Sequence, residues 1–242
     1  MQVAVEIAVQ DAGSAAAARR AGATRVELCS ALASTGGVTP SIGLIERVVA
    51  EGLPVHVLIR PRGGDFVYRA DERDVMLRDI EAALAAGATG IVSGGLTPDG
   101  RVDGLLLAAL VDATSGGGEF TFHRAIDAVD DQLGALDAII AAGAGRVLTS
   151  GGAPRCSEGL AAIGALVDRA AGRVQIQAGG GVTCADIPAL IGAGVSAVHL
   201  SARRRLVSTR VGPGGGESAH DVADEDLIAA AVAAVREGAL PR

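Results

Sequence analysis

Two arginines at the end of an apolar strand, Arg60 and Arg62 in V-H-V-L-I-R-P-R-G-G-D, are well equipped to hold a small anion. Each guanidinium is a planar fork that donates paired hydrogen bonds, which suits a carboxylate or a phosphate. Pro61 fixes its own φ and keeps Arg60 out of the helical region, so both arginines are expected on one side of the chain. Gly63 and Gly64 then permit a sharp turn. A plainer reading stands beside this one: both arginines pair with acidic loop residues such as Asp65.

Acid and base groups recur at matching places along the chain. Alternate residues of an extended segment share a face, so if Val3, Val5 and Ile7 face outward, Glu6 faces the other way. The same alternation groups Glu27, Cys29, Arg60, His123, Gln177 and His199 on the inner side, each toward the end of a strand. Two carboxylates, two imidazoles and an arginine each need a polar partner once buried, so their convergence predicts a pocket. Glu6, Glu27, His123 and His199 are the candidate catalytic acid/base groups. Arg60, Arg62, Arg124, Gln177, Gly179, Gly180, Gly181 and Ser201 are the candidate ligand-binding residues. A-G-G-G-V-T from Ala178 supplies the glycines; such turns expose backbone N–H groups and can cradle phosphate, with Gly151-Gly152 a further contributor. A tight turn capped by Thr183 accounts for the same residues without a ligand.

Short β-branched runs alternate with alanine-rich stretches and position these residues. Eight strands are expected at 3–9, 25–29, 55–59, 90–93, 119–123, 146–149, 174–177 and 197–200. Helices are expected at 14–21, 42–51, 72–86, 105–113, 132–142, 159–171, 185–191 and 224–237. A-G-A-T-R-V at Ala21 recurs as A-G-A-T-G-I at Ala86, A-G-A-G-R-V at Ala142 and A-G-V-S-A-V at Ala193. Each copy ends a helix on a left-handed glycine and enters an even-numbered strand. Four repeats of a double unit favour an α/β fold of the closed (βα)8 TIM type, one domain spanning 1–242. A flexible loop is expected around 203–223, where neither period appears.

Composition removes several functions. The chain has 21 basic and 28 acidic residues in 242, a formal charge of -7, which argues against nucleic acid and against an anionic membrane surface. It shows neither a basic leader nor an apolar run near ~18 residues, so no membrane span and a cytoplasmic location are expected. Cys29, Cys156 and Cys184 lack a C-x-x-C pairing and fit reduced thiols. Lysine is absent from the sequence, which removes Schiff-base catalysis and pyridoxal phosphate.

Several motifs together resemble the CutC family: R-V-E-L-C from Arg25, G-G-V-T-P-S from Gly36, I-R-P-R-G-G-D-F from Ile59, T-F-H-R-A-I-D from Thr121 and H-L-S-A from His199. The resemblance spans nearly the whole chain. It implies a cytoplasmic (βα)8 barrel that often self-associates, hence a homo-oligomer, with a role in copper homeostasis and copper-ion binding. Family members often carry a cysteine where this chain has Ala8, and a copper proposal pairs it with the position of Cys29. Cys29 is therefore the metal candidate here, and one thiolate predicts no tight preformed Cu(I) site, since Cu(I) favours several soft ligands. The residues themselves also support a second reading. That reading is an enzyme acting by acid/base chemistry on a small anionic or sugar-like substrate, a lyase, isomerase or hydrolase that works without a Schiff base.

Overall fold

The computed structural model describes residues 3–208 and 219–238. Eight parallel strands close into a barrel whose spatial order is their chain order. They are β1 (Ala4–Val9), β2 (Arg25–Leu28), β3 (Val55–Leu58), β4 (Gly90–Ser93), β5 (Glu119–Phe122), β6 (Arg146–Thr149), β7 (Gln175–Gly179) and β8 (Ala197–Leu200). The register Glu6↔His199 between β1 and β8 closes the ring, as expected for a (βα)8 barrel. Around it lie α1 (Ala12–Arg20), α3 (Ile42–Val49), α4 (Ala70–Ala85), α5 (Gly104–Thr114), α6 (Gln132–Ala141), α7 (Leu160–Ala170), α8 (Ile187–Gly192) and α9 (Glu225–Gly238). A single turn of helix, α2 (Leu32–Thr35), follows β2, and a 3-10 turn at Arg124–Ala128 follows β5.

The recurring A-G phrase does what its residues require. Ala21, Ala86, Ala142 and Ala193 are the C-terminal caps of α1, α4, α6 and α8. The glycine after each has positive φ, between 85° and 95°. The fifth residue of each copy, Arg25, Gly90, Arg146 or Ala197, opens an even-numbered strand on its lumen side. Helix starts are set by acids: Asp11, Asp103 and Asp131 accept from the backbone N–H three residues on.

Most of the apolar core lies between sheet and helices, where Ile7, Val26, Ile59, Ile91, Val147 and Val198 meet Ile45, Ile80, Leu107, Ile139, Leu166 and Ile228. Burying each such side chain contributes about 1.5–3 kcal/mol. Inside the barrel the apolar cluster is small: Cys29, Leu58 and Val92, with Leu32 packed above. The remaining lumen is polar, and Glu6, Arg25, His56, Arg146 and Gln177 are all buried.

The segment expected as a flexible loop, 203–223, has strands at both ends. β9 (Arg203–Val207) pairs antiparallel with β10 (Ala219–Ala223), and an Arg203–Asp221 ion pair of 2.9 Å crosses the hairpin. β9 is largely solvated and β10 is mostly half-buried on both faces, so neither shows a clean period-two alternation. The centre of that segment, 209–218, lies outside the described residues.

Candidate functional site

A cavity of about 330 Å³ opens at the carboxyl end of the strands, within the range of small-molecule sites. Glu27, Arg60, Phe66, His123, His199 and Ser201 are among its walls. The neighbouring strand ends β1, β2 and β8 carry the acid/base groups. Glu6 sits one layer below the cavity and accepts hydrogen bonds from Arg25 Nε, Gln177 Nε2 and, at 2.8 Å, His199 Nδ1. Gln177 in turn accepts from Arg25 Nη2 at 2.6 Å. Above this cluster His199 Nε2 lies 3.6 Å from Glu27 Oε2.

These contacts divide two buried carboxyls into different roles. Burial pushes Glu6 upward, but the His199 hydrogen bond and the Arg25 charge outweigh it and hold the carboxyl well below its ordinary value. Glu27 has fewer partners. Burial, aided by the Glu6 charge, pushes it up to about 7 against the pull of His199 and Arg25. Burial alone would lower His199, yet Glu27 and Glu6 together raise it. The result is an ionised Glu6 that orients an imidazole whose protonated form it favours, beneath a carboxyl pushed up toward neutral pH. That is the arrangement a general acid/base needs.

His123 lies on the opposite wall and is of another kind. Its Nδ1 accepts the Ala125 N–H at 3.3 Å, capping the 3-10 turn, and burial with the Arg60 charge lowers its pKa to about 3. It is therefore a neutral ring and a weak base. Arg60 donates from Nη1 to the Thr35 and Gly37 carbonyls and from Nη2 to Gly64, tying three loop segments to the mouth.

Arg62 is not among the cavity walls. It donates to Glu72 at 2.7 Å, pairs with Asp65 at 3.0 Å and stacks over Tyr68, so it staples its own loop. Arg124 reaches the mouth but is engaged by Asp127 and Ser150, each at 2.7 Å. The Asp127 carboxylate also accepts from the backbone N–H groups of Ser150 and Gly152. The chain's own acid thus fills the turn at Gly151-Gly152, where a phosphate was one expectation. Gly180 and Gly181 line the cavity; Gly179 lies beneath, where a Cβ would come 2.6 Å from Leu148. Gly180 has φ +107° and a Cβ there would press on Arg124, so its glycine is required by the turn.

Cys29 is fully buried in the lumen cluster, with Sγ 3.8 Å from the Val9 carbonyl. Burial first, and then the Glu27 charge, push its thiol upward, the reverse of what a metal-binding thiolate needs. Among the described residues no group of three His, Cys, Asp or Glu is arranged to hold a metal. No described helix is long and apolar enough to cross a membrane.

Sequence reasoning missed Arg25, His56 and Arg146. Arg146 donates to Glu119 at 2.8 Å and Thr121 at 3.1 Å and lies 3.4 Å from His56 Nδ1. Burial lowers His56 to about 4, so Nδ1 accepts from Arg146 as part of a neutral ring. The available signal was the arginine in two of the four A-G phrases, at the same place in each.

Comparison with known proteins places the chain. The model of the CutC family matches residues 3–204. A family protein CutC of Xylella fastidiosa is 42% identical over 244 residues, covering 97% of this chain and 90% of the relative. The human copper homeostasis protein cutC homolog is 44% identical over 202 residues, covering 82% and 73%. A crystal structure of a CutC from Streptococcus agalactiae superposes with a TM-score of 0.76 at 34% identity, covering 83% of this chain and 99% of that one.

Proposed function

Because the chain belongs to the CutC family, we propose that it serves copper homeostasis, as its relatives' names say of them, and that it acts through the cavity at the barrel mouth. The observation that carries the site is the Glu6–His199–Glu27 series opening onto that cavity. Copper itself fits the residues poorly as Cu(I): Cys29 offers one shielded thiol and Ala8, on the cavity wall, offers no ligand. Imidazole and carboxylate from His199 and Glu27 suit Cu(II), bound weakly. A second reading draws support from Glu27 alone. A buried carboxyl poised near 7 beside an empty volume favours proton transfer to or from a small polar molecule, so the copper role would be exercised through such a metabolite.

Copper tolerance in cells lacking their own copy tests the site. The wild-type chain restores growth in added copper and Glu27→Gln or His199→Gln does not. Restoration by both variants at normal protein levels refutes the cavity as the functional site. A competition titration of the reduced protein against a Cu(I) chelator separates the two readings. Tight binding that disappears in Cys29→Ser favours direct copper handling, and its absence favours the small molecule.

A further inference from the structure

Among the described residues three buried side-chain polar atoms lack a hydrogen-bond partner, the Tyr68 hydroxyl and one nitrogen each of Arg60 and His123, and of these residues Arg60 and His123 line the cavity. Arg60 spends both terminal nitrogens on the carbonyls of Thr35, Gly37 and Gly64, and its Nε–H has no partner among the described residues. His123 uses Nδ1 as an acceptor from Ala125, which puts the ring proton on Nε2, and that N–H has no partner either. The two residues are only 6% and 5% exposed. Phe66 rests against both, its ring 5.0 Å from the Arg60 guanidinium carbon and 4.8 Å from the His123 ring. Unpaired buried donors are destabilising, and paired ones of this kind are satisfied together by a group that only accepts. One donor belongs to a cation, so the complementary acceptor is anionic oxygen.

We propose that Arg60 Nε–H and His123 Nε2–H form an oxyanion subsite, which seats the carboxylate or phosphate of a small molecule whose remainder extends toward His199 and Glu27. This rests on the reading of the mouth cavity as the functional site. The two nitrogens are shielded from solvent, so the Phe66 ring swings aside as the anion enters; its segment follows Gly64, at φ +90°. Arg62 and Arg124 are excluded as the main anchors because carboxylates already neutralise them. His123 donates as a neutral ring and adds no pH dependence of its own from about pH 6 to 8, whereas Glu27 and His199 on the same cavity lose protons as pH rises and so weaken acetate binding toward alkaline pH.

The experiment titrates inorganic phosphate and acetate into the full chain, following the Arg60 Nε–H and His123 ring signals by NMR alongside the melting temperature. Saturable shifts of both signals are expected. Removing one donor, in His123→Phe or Arg60→Lys, weakens binding roughly 10–100-fold. Arg62→Gln leaves it unchanged, and Phe66→Ala tightens it. Preference for one anion identifies the carboxylate or the phosphate as the natural group. Anion-induced shifts at Gly180 and Ser201 with Arg60 and His123 silent overturn the subsite and leave the cavity reading standing. The absence of saturable shifts with either anion overturns the subsite as well, while the copper-tolerance assay of Glu27→Gln decides the cavity reading separately. The wild-type signals carry the test even if His123→Phe fails to fold.

Discussion

Glu27→Gln should make this protein more stable at pH 8 and leave it nearly unchanged at pH 5. In the folded chain the Glu27 carboxyl is raised from 4.5 to about 7, first by burial and then by the Glu6 charge. Below the unfolded value the group is protonated in both states and contributes no difference. Between the two values the folded state holds a proton that the unfolded state has released, so stability falls as pH rises, levelling off above about 7. The interval is about 2.5 units, and each unit is about 1.4 kcal/mol, which gives about 3 kcal/mol lost by pH 8. Glutamine keeps the shape of the protonated carboxyl and carries no charge to desolvate. His199 opposes part of the gain: its own raised pKa contributes stability that is lost as pH rises, and it loses the attraction of an ionised Glu27 at 3.6 Å. Urea denaturation of both proteins at the two pH values is the assay. A stability gap that is the same at pH 5 and pH 8, or a variant less stable than wild type at pH 8, refutes the argument that burial governs Glu27.

Two further outcomes follow from the lumen and the thiols. Arg25→Met leaves the ionised Glu6 with His199 and Gln177 alone, which should cost about 3–5 kcal/mol in urea denaturation. It should also move acid unfolding to higher pH, since stability from a depressed carboxyl is lost as pH falls through its folded value. A loss under about 1 kcal/mol would mean that the other partners suffice. Native protein should react with a thiol reagent at Cys184 alone, because Cys29 and Cys156 are buried with raised thiols. Unchanged labelling of Cys184→Ser would contradict the burial of the other two.

The fold was legible because each signal was local. A run such as V-A-V-E-I or V-H-V-L has the period of a strand, and a glycine after an alanine-rich helix suits the left-handed stop. Inner and outer faces came from period two, which placed Glu6, Glu27, Gln177 and His199 together. What stayed hidden depends on distant partners. Nothing near Arg62 shows that Glu72, in the first turn of α4, will claim it. Nothing near Gly151 shows that Asp127 will occupy its turn. Arg25 and Arg146 follow a helix stop and open a strand, a place where arginine normally faces water. Only the closed ring turns those positions inward.

The polar column inside the barrel has a consequence for how the molecule can be altered. It runs from Glu27 and His199 at the mouth through Glu6, Arg25 and Gln177 to His56, Arg146 and Glu119, whose side chain is 63% exposed at the opposite end. In most barrels of this type an apolar filling insulates the end that carries chemistry from the end that carries stability. Here adjoining charges replace that insulation. A substitution at Glu119 changes the field at His56 and Arg146, and His56 lies 3.6 Å from Glu6 beneath the mouth. One run of charges joins the two ends of this barrel, and an exchange of its floor loops reaches Glu6, the carboxylate that holds His199.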